Sequence, residues 1–95
     1  MDILLTRHGQ RRMQQRAIPA LVVSLIHSEG SVSQSHDGCE VRYVDKAARR
    51  RIRDALGGDR AYSMFERWFG RTYVVVSEDG AVVTAGHRKH RISRL

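Results

Sequence analysis

The stretch TYVVVSEDGAVVTAG, residues 72–86, constrains the fold of this chain more than any other. Two valine-rich runs flank Glu78-Asp79-Gly80, and a glycine in so short a connection supplies the positive φ that lets two strands reverse. Branched side chains pack well on a pleated surface, so the stretch predicts an antiparallel hairpin. The continuous valine run predicts a strand covered on both faces, or nearly so.

The remaining residues divide by hydrophobic period. Thr6 is a candidate N-cap for a first helix reaching to about Arg16, with Gly9 as a weak point inside it. Pro19 ends that helix and fits the first turn of a second, PALVVSLIH, which places Leu21, Val22, Leu25 and Ile26 on one face and stops before Gly30. The period then changes to two. SVSQSH, the dipeptide Asp37-Gly38 and CEVRYVD predict another hairpin, in which Cys39, Val41 and Tyr43 share a face.

Asp45 is the expected cap of a third helix, KAARRRIRDAL, closed by Gly57-Gly58. Its apolar stripe is Ala48, Ile52, Ala55 and Leu56, with Arg49, Arg50 and Arg53 on the other side. A fourth helix, from about Asp59 to Phe69, carries Tyr62, Phe65, Trp68 and Phe69 at helical spacing, predicting an aromatic stripe turned to the core rather than to nucleic-acid bases. The expected fold class is therefore α+β. N-terminal helices pack on one antiparallel sheet of about four strands, and two helices are inserted between two hairpins. At 95 residues the chain is expected to form a single domain, 1–95.

Composition bears on function through charge. Seventeen Lys and Arg against ten Asp and Glu give a formal net charge of +7 and a sequence pI near 10.7. Such an imbalance favours a polyanionic partner, nucleic acid ahead of an acidic protein or an anionic membrane. The charge is clustered, in RHGQRRMQQR, DKAARRRIRD and GHRKHRISR. Arginine predominates, and its planar fork holds a phosphate through two hydrogen bonds where lysine offers a point charge. A GC-rich coding bias would enrich arginine as well. No apolar run approaches the ~20 residues that span a bilayer, and no lipidation motif is present, so no membrane partner is expected. Cys39 is the single cysteine, which excludes an intrachain disulfide and favours a cytoplasmic location.

The basic segments nominate specific residues. On a helix His8, Arg12 and Arg16 fall four apart on one side, either as a solvated face or as an anion-binding one. Arg49 and Arg50 project from the third helix. The closing run after Thr84 holds His87, Arg88, Lys89, His90 and Arg91, either a solvated tail or the lip of a site. His87 and His90 have metal-like spacing, but no cysteine pair or carboxylate set completes a zinc site, and no cofactor is expected. Two imidazoles among guanidiniums can instead cleave RNA without a metal. One takes the 2′-hydroxyl proton, the other protonates the leaving oxygen, and fixed positive charge stabilises the phosphorane-like transition state. His8 and His87 are the candidate catalytic residues. Arg12, Arg16, Arg49, Arg50, Arg88 and Arg91 are the candidate nucleic-acid contacts, and Tyr43 or Tyr73 could donate or orient.

RHGQRRMQQRAI resembles the opening of the small bacterial family called domain of unknown function 4258. His8-Gly9, Arg12-Met13 and Arg16-Ala17-Ile18 follow its pattern, with Ala17 in place of the usual glycine. VVVSEDGAVVTAGHR resembles its closing hairpin, whereas the segment 45–70 is longer than the family's usual centre. That family is similar in architecture to RelE-like ribonuclease toxins. The resemblance implies an RNA-directed protein, with a metal-independent ribonuclease of toxin type and a small acidic antitoxin-like partner as one form of that expectation. A non-catalytic nucleic-acid-binding or regulatory module, or a basic protein-interaction domain, is the alternative.

Overall fold

The computed structural model describes residues 6–7, 18–35 and 38–87. Their order is α1 (Ala20–Glu29), β1 (Ser31–Gln34), β2 (Glu40–Tyr43), α2 (Lys46–Leu56), α3 (Asp59–Phe69), β3 (Thr72–Val76) and β4 (Val82–His87). The four strands form one sheet in chain order, and every neighbouring pair is antiparallel. The fold is α+β, with α2 and α3 inserted between the two hairpins, as the change of period implies. The expected first helix falls almost wholly outside the described residues, although its candidate cap is visible. Thr6 donates its amide to the Val82 carbonyl (3.0 Å) and its hydroxyl to the Val83 carbonyl (3.3 Å), which fastens it to the start of β4.

Helix α1 is buried nearly all round. Val22, Val23, Leu25 and Ile26 are at most 2% exposed, and Ser24 lies among them, while Leu21 stays 39% exposed. The apolar face expected from spacing is thus displaced, with Val23 inside and Leu21 outside. The reason is that α1 packs against β2 and β3 on one side and against α2 and α3 on the other, so no single stripe suffices. Pro19 occupies the N-cap, one position earlier than expected, and its carbonyl accepts the amides of Val22 and Val23. At the other end Gly30 turns the chain into β1. A Cβ there would collide with the Ile26 carbonyl oxygen and lie 3.1 Å from that of Tyr43, so only glycine fits.

Asp45 caps α2 as its position predicts, accepting the Ala48 amide at 2.8 Å and the Ser31 hydroxyl at 2.7 Å. One carboxylate therefore starts a helix and ties it to β1. Gly57 and Gly58 adopt φ of 89° and 132° and reverse the chain into α3. The Gly58 amide reaches back to the Arg53 carbonyl (3.0 Å), closing the end of α2 in the left-handed manner that favours glycine. Ala48 and Ile52 are buried and Leu56 packs on the core; Ala55, expected in the same stripe, is exposed.

In the last hairpin the Ser77 amide donates to the Ala81 carbonyl and the Gly80 amide to the Ser77 carbonyl, both at 2.9 Å, with Gly80 at φ 87°. Burial along β3 alternates rather than running continuously. Thr72, Val74 and Val76 are buried, while Tyr73 and Val75 are half-buried. The helices cover one face of this strand, and the second face is less completely covered than the valine run suggests. Registry carries that covered face into β4, where Val74 opposes Ala85 and Thr72 opposes His87. His87 therefore projects on the same side of the sheet as the helices.

Candidate functional site: a basic helical hairpin with an aromatic shelf

Residues 46–71, the helical hairpin and the turn that follows it, hold eight basic and three acidic residues, most of the chain's excess charge. The geometry sorts the arginines by what each already holds. Arg42 donates from Nη1 to the His27 carbonyl (2.7 Å) and lies 3.6 Å from Glu40. Arg51 donates from Nε to the Glu29 carbonyl (2.9 Å) and from Nη2 to the Ser31 hydroxyl (3.1 Å). Both guanidiniums thus satisfy carbonyls that the C-terminal end of α1 leaves open, where the helix dipole favours a cation. Arg53 pairs with Asp59 across the glycine link at 2.9 Å and lies over the Tyr62 ring, 5.2 Å from its centroid. These three arginines hold the fold together.

The others are not engaged in that way. Among the described residues, Arg49, Arg50, Arg60, Arg67 and Arg71 are exposed and make no ion pair with a carboxylate. Two contacts show that the helices run antiparallel: Arg53 near the end of α2 meets Asp59 at the start of α3, and Arg49 near the start of α2 reaches the end of α3. The Arg49 Nη2 is 3.9 Å from the point a side chain on Gly70 would occupy. Arg49, Arg67 and Arg71 therefore gather around one end of α3, where a dipole of the right sign partly offsets their mutual repulsion.

At that end stands an aromatic stack. Trp68 is half-buried against the core and its ring lies 5.8 Å from that of His87, with 23° between their planes. The Arg67 guanidinium sits 5.2 Å from the indole centroid, within cation–π range. His87 is exposed, so its imidazole is backed by Trp68 and open on the outside. The aromatic stripe expected of α3 thus divides. Tyr62 and Phe69 enter the core, stacked at 5.4 Å, whereas Phe65 and Trp68 are only partly buried. A helix of this length turns only part of its circumference to the core, and four aromatics at its spacing exceed that arc.

Burial changes the chemistry of Tyr62. Desolvation pushes its phenol pKa up, Arg49 and Arg53 pull it down, and Glu66 adds to the rise. Its hydroxyl is buried with no hydrogen-bond partner among the described residues, and the same holds for the hydroxyl of Thr72, the cross-strand neighbour of His87.

Of the residues expected from sequence, His87, Arg49 and Arg50 are in view. His87 and Arg49 flank the same end of α3, and Arg50 projects from α2. His8, Arg12, Arg16, Arg88 and Arg91 lie outside the described residues. Thr6 is anchored at the start of β4 and His87 ends that strand, five residues or roughly 16 Å away at strand spacing. Sequence reasoning passes over Arg67 and Arg71 and assigns Trp68 to the core stripe. RWFGR, two arginines four apart around a tryptophan, carries the signal that finds them. No group of three or more His, Cys, Asp or Glu among the described residues is placed to hold a metal. No helix among them is long and apolar enough to cross a membrane. Compared with family models, curated proteins and solved structures, the chain gives no match.

Proposed function

We propose that the protein binds RNA, gripping the phosphate backbone with the arginines of the α2–α3 hairpin. The observation that carries this reading is the division of the arginines. Three are consumed by carbonyls and a carboxylate, while Arg49, Arg50, Arg60, Arg67 and Arg71 stand exposed with no carboxylate paired to them among the described residues. Guanidiniums concentrated on one helical unit repel one another, and a phosphate chain relieves that repulsion while releasing its own condensed counterions. The resemblance of the two ends of the chain to domain of unknown function 4258 leans the same way.

A second reading, metal-independent cleavage of the bound RNA, is favoured by His87 alone. An exposed imidazole backed by an indole and close to Arg67 has the groups for proton transfer beside a phosphate.

Both readings meet in one experiment: anisotropy of a short labelled RNA in chelator, across a range of KCl concentrations. If four arginines meet phosphates, log K falls against log salt with a slope of roughly −3. The double variant Arg49→Ala/Arg50→Ala should flatten the slope by about 1.4 with its thermal midpoint retained. Absence of binding at low salt, or a slope and affinity untouched by the double variant, would defeat the RNA reading at this face. Cleavage of the same RNA that His87→Ala abolishes would establish the enzymatic form. Binding without cleavage leaves a nucleic-acid-binding module. Binding only to an acidic protein would favour the protein-interaction alternative.

A further inference from the structure

We infer that the outer face of His87, held by Trp68, is a shelf for one unpaired base, so that the RNA this surface takes is single-stranded. The inference rests on the RNA-binding reading above and specifies its substrate.

The geometry has three parts. The indole is the fixed part, since Trp68 packs against the hydrophobic core from the last turn of α3. The imidazole is the presented part: it lies nearly parallel to the indole at 23°, ends β4, and is exposed. A planar ring already oriented in this way loses little conformational freedom when a base stacks on it. The third part is charge. Arg67 lies against the same indole and Arg71 follows two residues after Phe69, so the phosphates on either side of a stacked base would meet guanidiniums.

A flat aromatic surface selects against duplex. Bases in a helix are already stacked on one another, and an A-form helix offers side chains its phosphates and 2′-hydroxyls rather than its π-faces. Single strands present a π-face at every nucleotide, and stacking on aromatic side chains is tolerant of sequence. The site therefore favours unpaired RNA without demanding a particular base. If His87 served only to shield the indole edge from water, duplex and single strand would bind alike.

Trp68 is the only tryptophan, so its emission reports on this site directly. The test titrates the protein at moderate salt with a single-stranded oligouridine, a self-complementary RNA duplex, an oligouridine carrying abasic riboses throughout, and heparin. The expected result is quenching or a spectral shift of Trp68 with oligouridine only, together with tighter binding than for duplex at equal phosphate concentration. His87→Ala and Trp68→Leu should each weaken oligouridine binding about tenfold while leaving heparin binding unchanged. Trp68→Phe, which keeps a stacking ring behind His87, should retain most of the affinity and controls for loss of folding. RNA binding that is salt-dependent but equal for duplex, abasic and intact strands would overturn the shelf and leave the RNA reading standing. Equal quenching by heparin would overturn it too. Failure of every RNA to bind would remove both.

Discussion

Helix α1 lies on the sheet and the α2–α3 hairpin packs against α1, and folding uses the two differently. Helix α1 has no charged residue before Glu29, buries Val22, Val23, Leu25 and Ile26, and has its C-terminal carbonyls answered by Arg42 and Arg51. The buried Ser24 hydroxyl alone of these groups has no hydrogen-bond partner among the described residues. The hairpin gives the core only Ala48, Ile52, Tyr62 and Phe69 as fully buried apolar residues, with Leu56, Phe65 and Trp68 partly so. The hairpin and the turn after it also carry Arg49, Arg50, Arg60, Arg67 and Arg71, which are exposed and pair with no carboxylate among the described residues. A region whose helix end is answered by the fold's own guanidiniums speaks of stability. One with an unanswered excess of a single charge speaks of a partner.

The contrast can be broken or sharpened by substitution, starting with the largest effect. Phe69 is fully buried and stacked on Tyr62, so Phe69→Ala should cost about 3–5 kcal/mol in chemical denaturation. A loss below about 1 kcal/mol would mean that the hairpin is not part of the cooperative core. Gly30→Ala comes next: the new methyl must displace the Ile26 carbonyl or the end of β2, an overpacking penalty of about 1–3 kcal/mol. Asp45→Ala removes both the α2 cap and the link to Ser31, which should lower stability by about 1 kcal/mol. The smallest stability effect belongs to Arg50→Gln and Arg71→Gln. Both side chains are exposed, and each change should stay within about 0.5 kcal/mol of wild type while RNA affinity falls. If these variants instead unfold, their charge belongs to the fold and the contrast with α1 disappears.

Alkali gives a sharper version of the same contrast. The folded state raises the Tyr62 pKa above its unfolded value near 10, chiefly through burial. The neutral phenol therefore contributes stability that is intact below the unfolded pKa and is lost as pH rises through the folded one. Tyr62→Phe should lose that part of the alkaline transition, whereas variants in α1 should keep it.

The arrangement of elements could be read from the sequence because local signals agreed with one another. Asp45 before an amphipathic run, two glycines after it, and Gly80 between valine strands each have one good backbone solution. The face of α1 was less legible, because a helix enclosed on both sides obeys no single stripe, and Leu21 and Val23 changed places accordingly. The division among arginines was not legible at all. Arg50, Arg51 and Arg53 are near neighbours in one run, yet Arg51 holds a helix end, Arg53 an aspartate and a ring, and Arg50 neither. Only the tertiary neighbours distinguish them, since they differ by about 100° per residue around the same helix. Trp68 is hard to read for a related reason: its spacing fits the core stripe, yet it is only partly buried there and stacks on His87.

The insertion of α2 and α3 between β2 and β3 has a consequence for how the chain reaches this state. Both β-hairpins and the helical pair are local, and each can form by closing a short loop. The β2–β3 ladder instead joins Glu40 to Val76 and Arg42 to Val74 across the whole helical insertion. The entropic cost of closing that larger loop falls once the insertion is already a compact helical pair, by about 0.6 kcal/mol for each halving of its effective length. The glycine link at Gly57-Gly58 then governs the speed of assembly as well as its geometry. Alanine at both positions would strain two left-handed residues, and the folding arm of a chevron plot should slow together with the loss of stability. A change confined to the unfolding arm would place the helical pair late in the sequence of events, with the sheet closing first around an unformed insertion.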